Sequence, residues 1–379
     1  MMSARPVIFL CAAALWGGTP LGAAESPNGS VRLNQIQLIG THNSYHAGLA
    51  PSEAKLMMEK NPKLYQALEY RHRPLDEQLT FGVRQIELDI YADSEGGRYA
   101  RPAGADAVAA AKLPKDPDFD PQGLMKLPGF KVMHVQDIDY RSTCQQLIAC
   151  LQIVHEWSRF HPKHLPIFIL IETKQDDLPP QYHARSPERF TAATFDALDA
   201  EIRTVFKEGE MITPDQVRGT HATLEEAVLA GEWPTLAAAR GKVIFLMDQR
   251  PVGPVYLEGH PSLRGRVIFT NAEPGHADAA FTEENEGSQE EIAALVRKGY
   301  LVRTRTDADT KQGRTNDTTR RDIALASGAQ ILSTDYPTSE PAQWTGYSVS
   351  LPRSAVARCN PINAPANCSD DAFAGKPAR

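Results

Sequence analysis

Short polar strings follow several stretches of apolar, β-prone residues at separate points of the sequence. They are Thr41-His42-Asn43, Glu87-Leu88-Asp89 and Glu172-Thr173-Lys174, and a lone histidine, His134, ends one more apolar stretch. Together they supply two imidazoles, three carboxylates, one amide and one lysine. Groups of these types, all placed where strands end, are typical of one site that binds a hard cation and moves protons beside a phosphate.

Four of these side chains offer only oxygen donors, which are the ligands that Ca²⁺ prefers. The four are Asn43, Glu87, Asp89 and Glu172. Zinc would be expected to recruit histidine or cysteine, so the set predicts one calcium ion, with Mg²⁺ still open. Three carboxylates and a dication leave about one negative charge, which Lys174 or an arginine would have to offset before a phosphate could bind. The alternative interpretation is a salt-bridge network without a metal.

Two histidines supply groups that titrate close to neutral pH. His42 and His134 each end a strand candidate, and we expect them to act as acid and base. Asp335 follows the last strand candidate and is predicted to orient His42. Asp137, shortly after His134, either orients that imidazole or caps a loop.

The elements that must position these side chains alternate between strand and helix. Eight strand candidates can be counted: Ile36–Thr41, Arg84–Ile90, Phe130–His134, Pro166–Glu172, Lys242–Met247, Arg266–Thr270, Tyr300–Thr306 and Ala329–Thr334. Helix-like segments lie between most of them: Cys144–Phe160, Pro187–Lys207, Leu224–Leu229, Gln289–Arg297 and Thr318–Ala326. This alternation predicts an α/β fold with a parallel sheet, and eight units predict closure into a (β/α)8 TIM barrel.

The second strand candidate shows which face carries the chemistry. Ile86, Leu88 and Ile90 share one face of the strand, whereas Glu87 and Asp89 share the other. The apolar face suits packing against the outer helices. The acidic face then points into the barrel mouth, where barrel enzymes carry their sites.

Two predicted connections, Tyr45–Leu79 and Asp93–Gly129, are longer than usual and are either walls of the mouth or surface insertions. His46 and His72 lie in the first connection, where they either edge the site or are simply solvated, as loop histidines usually are. The strand–helix pattern stops after Tyr336. We therefore predict one catalytic barrel domain over residues 25–337 and a disulfide-tied tail over residues 338–379.

The first residues indicate export. Arg5 precedes the apolar stretch Val7–Trp16, and the small residues Gly22-Ala23-Ala24 provide a cleavage site, so residues 1–24 are predicted to be a signal peptide. This apolar stretch is shorter than the roughly 20 residues that a membrane-spanning helix needs. We expect a secreted or periplasmic protein.

Removal of Cys11 with that signal leaves four cysteines, an even number that suits an oxidising compartment. Of the three possible pairings we predict the local one, Cys144–Cys150 with Cys359–Cys368. A zinc site built from all four thiolates is the alternative. The formal net charge of -7 disfavours nucleic acid as a partner, so an anionic substrate must be held by a local cluster or a metal.

Several strings resemble the X-region of phosphoinositide-specific phospholipases C. They are Gly40-Thr41-His42-Asn43-Ser44-Tyr45, Gly82-Val83-Arg84-Gln85-Ile86-Glu87-Leu88-Asp89 and Ile169-Leu170-Ile171-Glu172. More closely, the chain is similar to the secreted bacterial calcium-dependent phosphoinositide phospholipase C group, a PLC-like phosphodiesterase barrel, from about residue 34 to Tyr336. Two later strings extend the resemblance: Arg303-Thr304-Arg305-Thr306-Asp307-Ala308-Asp309 and Ser333-Thr334-Asp335-Tyr336-Pro337.

The resemblance implies a reaction and a role for each group. His42 and His134 would be the catalytic pair, and the four oxygen-donor residues would hold calcium. The inositol 2-hydroxyl would attack the adjacent phosphorus, which releases diacylglycerol and leaves a cyclic inositol phosphate. Candidates for contacts with the phosphate or the inositol are Lys174, Arg303, Arg305 and Tyr336. The expected partners are a phosphoinositide or another inositol phosphodiester and, transiently, a membrane surface, with the protein as a monomer.

Two other functions remain open at this point. The same barrel could cleave glycerophosphodiesters or sphingomyelin, since those families also place two histidines and carboxylates at strand ends. A non-enzymatic secreted barrel that binds inositol phosphates or a glycan is the third interpretation.

Overall fold

The computed structural model of this chain describes Met1 and residues 28–373. The predicted signal peptide therefore lies outside the described residues, apart from Met1. Within the described part of the chain, no helix combines the length and the apolar character that crossing a bilayer would require.

Within residues 28–373, ten strands form a single sheet that curls into a barrel. In chain order they are β1 Ile36–Thr41, β2 Gln85–Tyr91, β3 Lys131–Val132, β4 Ile167–Thr173, β5 Val243–Met247, β6 Ile268–Phe269, β7 Phe281–Glu283, β8 Leu301–Arg305, β9 Ile331–Thr334 and β10 Ala357–Cys359. Eight of them run parallel, in the order β6-β5-β4-β2-β1-β9-β8-β7. One parallel bridge between Asn271 and Phe281 joins the two ends of this row. The predicted TIM barrel is thus confirmed, as a nearly closed one.

One predicted barrel strand is wrong. The expected strand Phe130–His134 shortens to β3, which runs antiparallel to the end of β2 through the pair Ile90 and Val132. β2 extends beyond the end of β1, so its free edge accepts β3 outside the barrel. The missing barrel strand is β7, whose three residues are too short to show an alternating pattern.

Helices surround the barrel and cover the apolar faces of its strands. Between residues 28 and 373 they are α1 Pro51–Lys60, α2 Pro62–Leu68, α3 Leu75–Thr80, α4 Ala103–Ala110, α5 Leu147–Phe160, α6 Ala192–Val205, α7 Pro214–Arg218, α8 Leu224–Leu229, α9 Leu236–Ala239, α10 Gly253–Tyr256, α11 Gln289–Lys298, α12 Lys311–Thr315 and α13 Thr319–Ser327. All five predicted helices are present, with ends that move by a few residues. Ser288 caps α11 by accepting the N–H of Glu291, which is why that helix begins where the sequence indicates.

Both predicted disulfides are confirmed: Cys144 is bonded to Cys150, and Cys359 to Cys368. In the first disulfide, Cys144 precedes α5 and Cys150 lies within that helix. The second lies in the tail, where β10 pairs antiparallel with the start of β1. The tail thus adds a strand to the same sheet, while the division of the chain at residue 337 stays a prediction.

The first two strands approach each other closely at Gly40. This approach places the turn after β1 against β2. β1 and β2 share only the pair Gly40–Gln85, and a Cβ at position 40 would lie 1.9 Å from Gln85 Oε1. We expect Gly40→Ala to lower the free energy of unfolding by about 1–3 kcal/mol, measured by urea denaturation, because the strands must separate. In the control Gly209→Ala the added carbon meets nothing within 4 Å, and the change should stay within about 0.5 kcal/mol. Equal stabilities of the two variants would contradict this account.

Candidate active site

Three carboxylates meet at the carboxyl ends of neighbouring strands. Asp89 of β2 pairs in register with Glu172 of β4, and Glu87 lies two residues before Asp89 on the same face of β2. One oxygen from each of the three lies within 4.8 Å of the others. Glu87 and Asp89 are almost fully buried, and Glu172 is partly accessible from the mouth.

Asn43 belongs to the turn that follows β1. Its backbone is left-handed, with φ of 46°, a conformation that asparagine tolerates better than most residues. The turn is held against β2 because the N–H of Ser44 donates to the Glu87 carbonyl at 3.1 Å. The amide nitrogen of Asn43 donates to the Tyr70 hydroxyl at 2.8 Å, so the amide oxygen is left with one long contact, 3.4 Å to the Tyr45 hydroxyl.

This cluster carries more negative charge than its neighbours balance. Neither oxygen of Asp89 accepts a well-aligned hydrogen bond from the described residues, although Lys174 Nζ lies 2.9 Å from Oδ2. Burial raises the pKa of Glu87 to about 7 and the pKa of Asp89 well above its ordinary value. Burial alone would also raise the pKa of Glu172, but Lys174 at 2.8 Å lowers it below the ordinary value.

These observations fit Ca²⁺. Its ligands are oxygens, several of them carboxylate, and the amide oxygen of Asn43 and an unsatisfied buried Asp89 carboxylate are donors of that class. The residues that would hold the ion are Asn43, Glu87, Asp89 and Glu172, the four predicted from the sequence. Their role as ligands stays a prediction.

His42 sits between two carboxylates. Its Nδ1 donates to Asp335 Oδ1 at 2.8 Å, and its Nε2 lies 3.6 Å from Glu87 Oε1. Asp335 is held in turn by Arg305, whose Nη2 lies 3.4 Å from Oδ2. Burial lowers the pKa of His42 well below its ordinary value, and the nearby Arg305 and Arg303 lower it further. The structure thus places Asp335 where the sequence predicted.

His134 is oriented by a different aspartate from the one considered in the sequence. Its Nδ1 donates to Asp139 Oδ2 at 2.8 Å, whereas Asp137 accepts the backbone N–H groups of Ala103 and Arg185, each at 2.7 Å. Asp137 therefore has the loop-capping role. Burial lowers the pKa of His134, and Asp139 offsets this only in part.

The two histidines share one arrangement. A carboxylate only accepts hydrogen bonds, so Nδ1 of each ring carries the proton that is donated to Asp335 or Asp139. On His42, Nε2 then faces Glu87. On His134, Nε2 has no hydrogen-bond partner among the described residues. Each imidazole can accept or deliver a proton at Nε2 while its orientation is kept by the carboxylate behind it.

The four predicted substrate contacts differ in access. Arg303, with a side chain only 2% exposed, bonds Glu87 at 2.5 Å, Asn285 at 2.9 Å and Glu283 at 3.2 Å. It therefore lies behind Glu87. Arg305 and Lys174 are more accessible. Tyr336 is buried against Tyr347 and lines, with Asp335, a cavity of about 750 Å³ between the segments 47–77 and 335–344.

Several residues of the site had not been identified from the sequence. Asp248 follows β5 and Glu283 ends β7, and burial raises the pKa of Asp248 to about 7 and that of Glu283 well above its ordinary value. Asp248 could have been found, since it directly follows a predicted strand, but Glu283 lies on the strand that was missed. His46 and His72 are buried, not solvated. His72 Nε2 lies 2.9 Å from the His42 carbonyl oxygen.

Comparisons with known proteins agree with this fold and identify a family. The family described as phosphoinositide phospholipase C, Ca²⁺-dependent, matches residues 31–361. Among solved structures, the calcium-dependent phosphoinositol-specific phospholipase C of a Pseudomonas species, in an apo form with myo-inositol, is 15% identical with a TM-score of 0.53, and the match covers 89% of this chain and 100% of that one. A second crystal form of that protein is 16% identical with a TM-score of 0.53 and coverages of 89% and 97%. No curated protein matches the sequence.

Lys174 and the predicted metal should compete for the same carboxylates, which gives two variants with opposite effects. Asp89→Asn removes a predicted ligand, and we expect the calcium affinity of the full chain, measured by titration calorimetry, to fall about tenfold or more. Lys174→Met removes the ammonium that neutralises Asp89 and Glu172, so calcium should bind more tightly while the calcium-free protein becomes less stable. The exposed Asp177→Asn serves as the control with unchanged affinity. A Lys174→Met protein that binds calcium more weakly than the wild type would contradict the competition.

Proposed function

This chain belongs to the Ca²⁺-dependent phosphoinositide phospholipase C family, and we propose that it cleaves phosphatidylinositol-type phospholipids to diacylglycerol and a cyclic inositol phosphate. The observation that carries the proposal is the pairing of two separate imidazoles with buried carboxylates, His42 with Asp335 and His134 with Asp139, beside one oxygen-only acidic cluster. An inositol-phosphate binding protein would have no need of two oriented proton carriers. A phosphodiester transfer needs both.

In the proposed reaction the oxygen of the inositol 2-hydroxyl forms a bond to the neighbouring phosphorus, and the bond from phosphorus to the diacylglycerol oxygen breaks. One imidazole accepts the hydroxyl proton at Nε2, and the other delivers a proton from Nε2 to the leaving oxygen. Water does not take part in this step. Calcium held by the four oxygen-donor residues would lower the pKa of the attacking hydroxyl and offset charge on the phosphate oxygens.

The remaining polar groups would position the substrate. Lys174 and Arg305 are the cations with access to the mouth, and we propose that they contact the phosphate, with Tyr336 near the inositol ring. Arg303 is buried behind Glu87, and we propose that it acts on the substrate only through that carboxylate.

The setting of this activity follows from the two disulfides, which indicate folding in an oxidising compartment. We propose export by the signal peptide of residues 1–24 and action as a monomer that contacts a membrane surface transiently.

A turnover assay on phosphatidylinositol tests the proposed function. We expect calcium-dependent release of diacylglycerol with a cyclic inositol phosphate as the first product. Replacing His42 or His134 by Ala should lower kcat by about 10²–10⁴-fold, because each removes an acid–base group. His155→Ala, which removes an imidazole 3.1 Å from Glu210 and outside the site, should keep kcat within about twofold. Full turnover with a chelator present, or near-native turnover of either site variant, would contradict the proposal. Turnover of glycerophosphodiesters or sphingomyelin alone would support the alternative substrates.

The pH dependence of kcat/KM should reflect the lowered pKa of both imidazoles. One imidazole must be neutral to accept a proton and the other must be protonated to deliver one. Both pKa values lie below the ordinary value of about 6.5. The imidazole that must be protonated therefore loses its proton as the pH rises towards 6.5. We expect kcat/KM to reach its maximum below about pH 6.5 and to fall above it. Asp139→Asn removes the carboxylate that favours protonated His134, and should move the limb of the profile that His134 controls to still lower pH. A kcat/KM that rises from pH 6.5 to 8 would contradict this assignment.

A further inference from the structure

A third imidazole lies behind His134 and has no part in the reaction proposed above. His46 is completely buried, and its Nε2 lies 2.8 Å and 2.9 Å from the two oxygens of Asp139. The same Asp139 oxygen that is 2.8 Å from His46 is also 2.8 Å from Nδ1 of His134. Two imidazoles thus converge on one carboxylate.

His46 is the only described group besides His134 that holds the Asp139 side chain. Within residues 28–373, the hydrogen bonds of the Asp139 carboxylate go to these two histidines and to no other side chain or backbone group. Because Asp139 is fully buried, water is not at hand to replace a lost donor. Without His46, rotation of the carboxylate would be restrained only by the histidine that it has to orient.

The other histidine–aspartate pair has a second donor of its own. Asp335 is held by Arg305 on one oxygen and by His42 on the other. His46 occupies the equivalent place beside Asp139. In both pairs a second donor therefore fixes the carboxylate that accepts the Nδ1 proton of the imidazole facing the mouth.

The position of His46 is itself fixed by its surroundings. Its ring packs on Tyr70 with centroids 4.4 Å apart, and its backbone forms an antiparallel bridge with Ser142, close to Asp139 in the chain. Tyr70 in turn accepts a hydrogen bond from Asn43, a predicted calcium ligand. Packing and hydrogen-bond contacts thus connect the turn after β1 with the loop that carries His134.

We propose that His46 is a positioning residue: by donating from Nε2 to Asp139 it fixes the carboxylate that orients His134. This inference rests on the proposed function only in assigning the proton transfer to His134. His46 touches neither the substrate nor the predicted metal in this account, and acts through Asp139 alone.

Two substitutions of His46 separate hydrogen bonding from packing. His46→Phe keeps a ring against Tyr70 and removes the donor, and we expect kcat on phosphatidylinositol to fall about 10²-fold, with KM and the calcium affinity within about twofold of wild type. His46→Gln restores an N–H donor toward Asp139, and should recover most of the lost kcat. In Asp139→Asn the orienting carboxylate is already absent, so adding His46→Phe should lower kcat little further.

A matched buried histidine provides the control. His164 precedes β4 at the opposite end of the barrel, and its Nε2 lies 2.7 Å from Ser158 Oγ. His164→Phe should cost stability without changing kcat. Two results would overturn the proposal. One is a His46→Phe enzyme with near-native kcat, and the other is a double variant in which the reductions of kcat by His46→Phe and Asp139→Asn multiply.

A second readout does not depend on turnover. Nitrogen NMR of the His134 ring in the full chain should show one sharp set of signals with the proton on Nδ1 in the wild type and in His46→Gln, and broadened or multiple sets of signals in His46→Phe, because the carboxylate that orients the ring is no longer fixed. If the wild type does not cleave phosphatidylinositol, the proposed function fails while this spectrum still tests His46. A His134 ring spectrum in His46→Phe that matches that of the wild type would overturn the inference on its own.

Discussion

The concentration of buried negative charge at the barrel mouth is the constraint on which the rest of the structure depends. Glu87, Asp89 and Glu172 are brought within 4.8 Å by strand register, not by a flexible loop, so they cannot separate without disrupting the sheet. Burying charges together is unfavourable unless counter-charges compensate them. Arg303 provides this compensation for Glu87, and Lys174 for Asp89 and Glu172. A divalent cation is the remaining partner that this cluster suits.

The two histidines that we propose as acid and base are arranged around that cluster in the same way. Each imidazole uses Nδ1 to hold an aspartate, which leaves Nε2 for proton transfer. Each aspartate is secured by a second donor, Arg305 for Asp335 and His46 for Asp139. The second donor is an arginine beside Asp335 and a buried histidine beside Asp139. His42 and His134 are therefore similar in geometry but not in their surroundings.

Much of this could be predicted from the sequence because strand ends are local features. The alternation of Glu87 and Asp89 with apolar neighbours reports a strand face directly, and the barrel follows from the repetition of strand and helix. What could not be predicted depends on contacts between distant segments. β7 has three residues and no pattern of its own, and β3 has the composition of a barrel strand but takes the free edge of β2.

The partner of His134 and the second partner of Asp139 were missed for the same reason. Asp139 and Asp137 differ by two positions, and only the fold of the loop decides which reaches His134. His46 lies in a long connection, and nothing in its neighbours shows that tertiary packing buries it completely. Contacts of this kind can be recognised only once the positions of the loops around the barrel mouth are known.

We propose that one calcium ion binds where the carboxyl ends of β2 and β4 meet the turn after β1. Anomalous diffraction from crystals of the full chain grown with calcium would locate it. We expect a single strong peak ligated by Asn43, Glu87, Asp89 and Glu172. A peak at His46, His134 and Asp139 instead, or none within the barrel mouth, would contradict it.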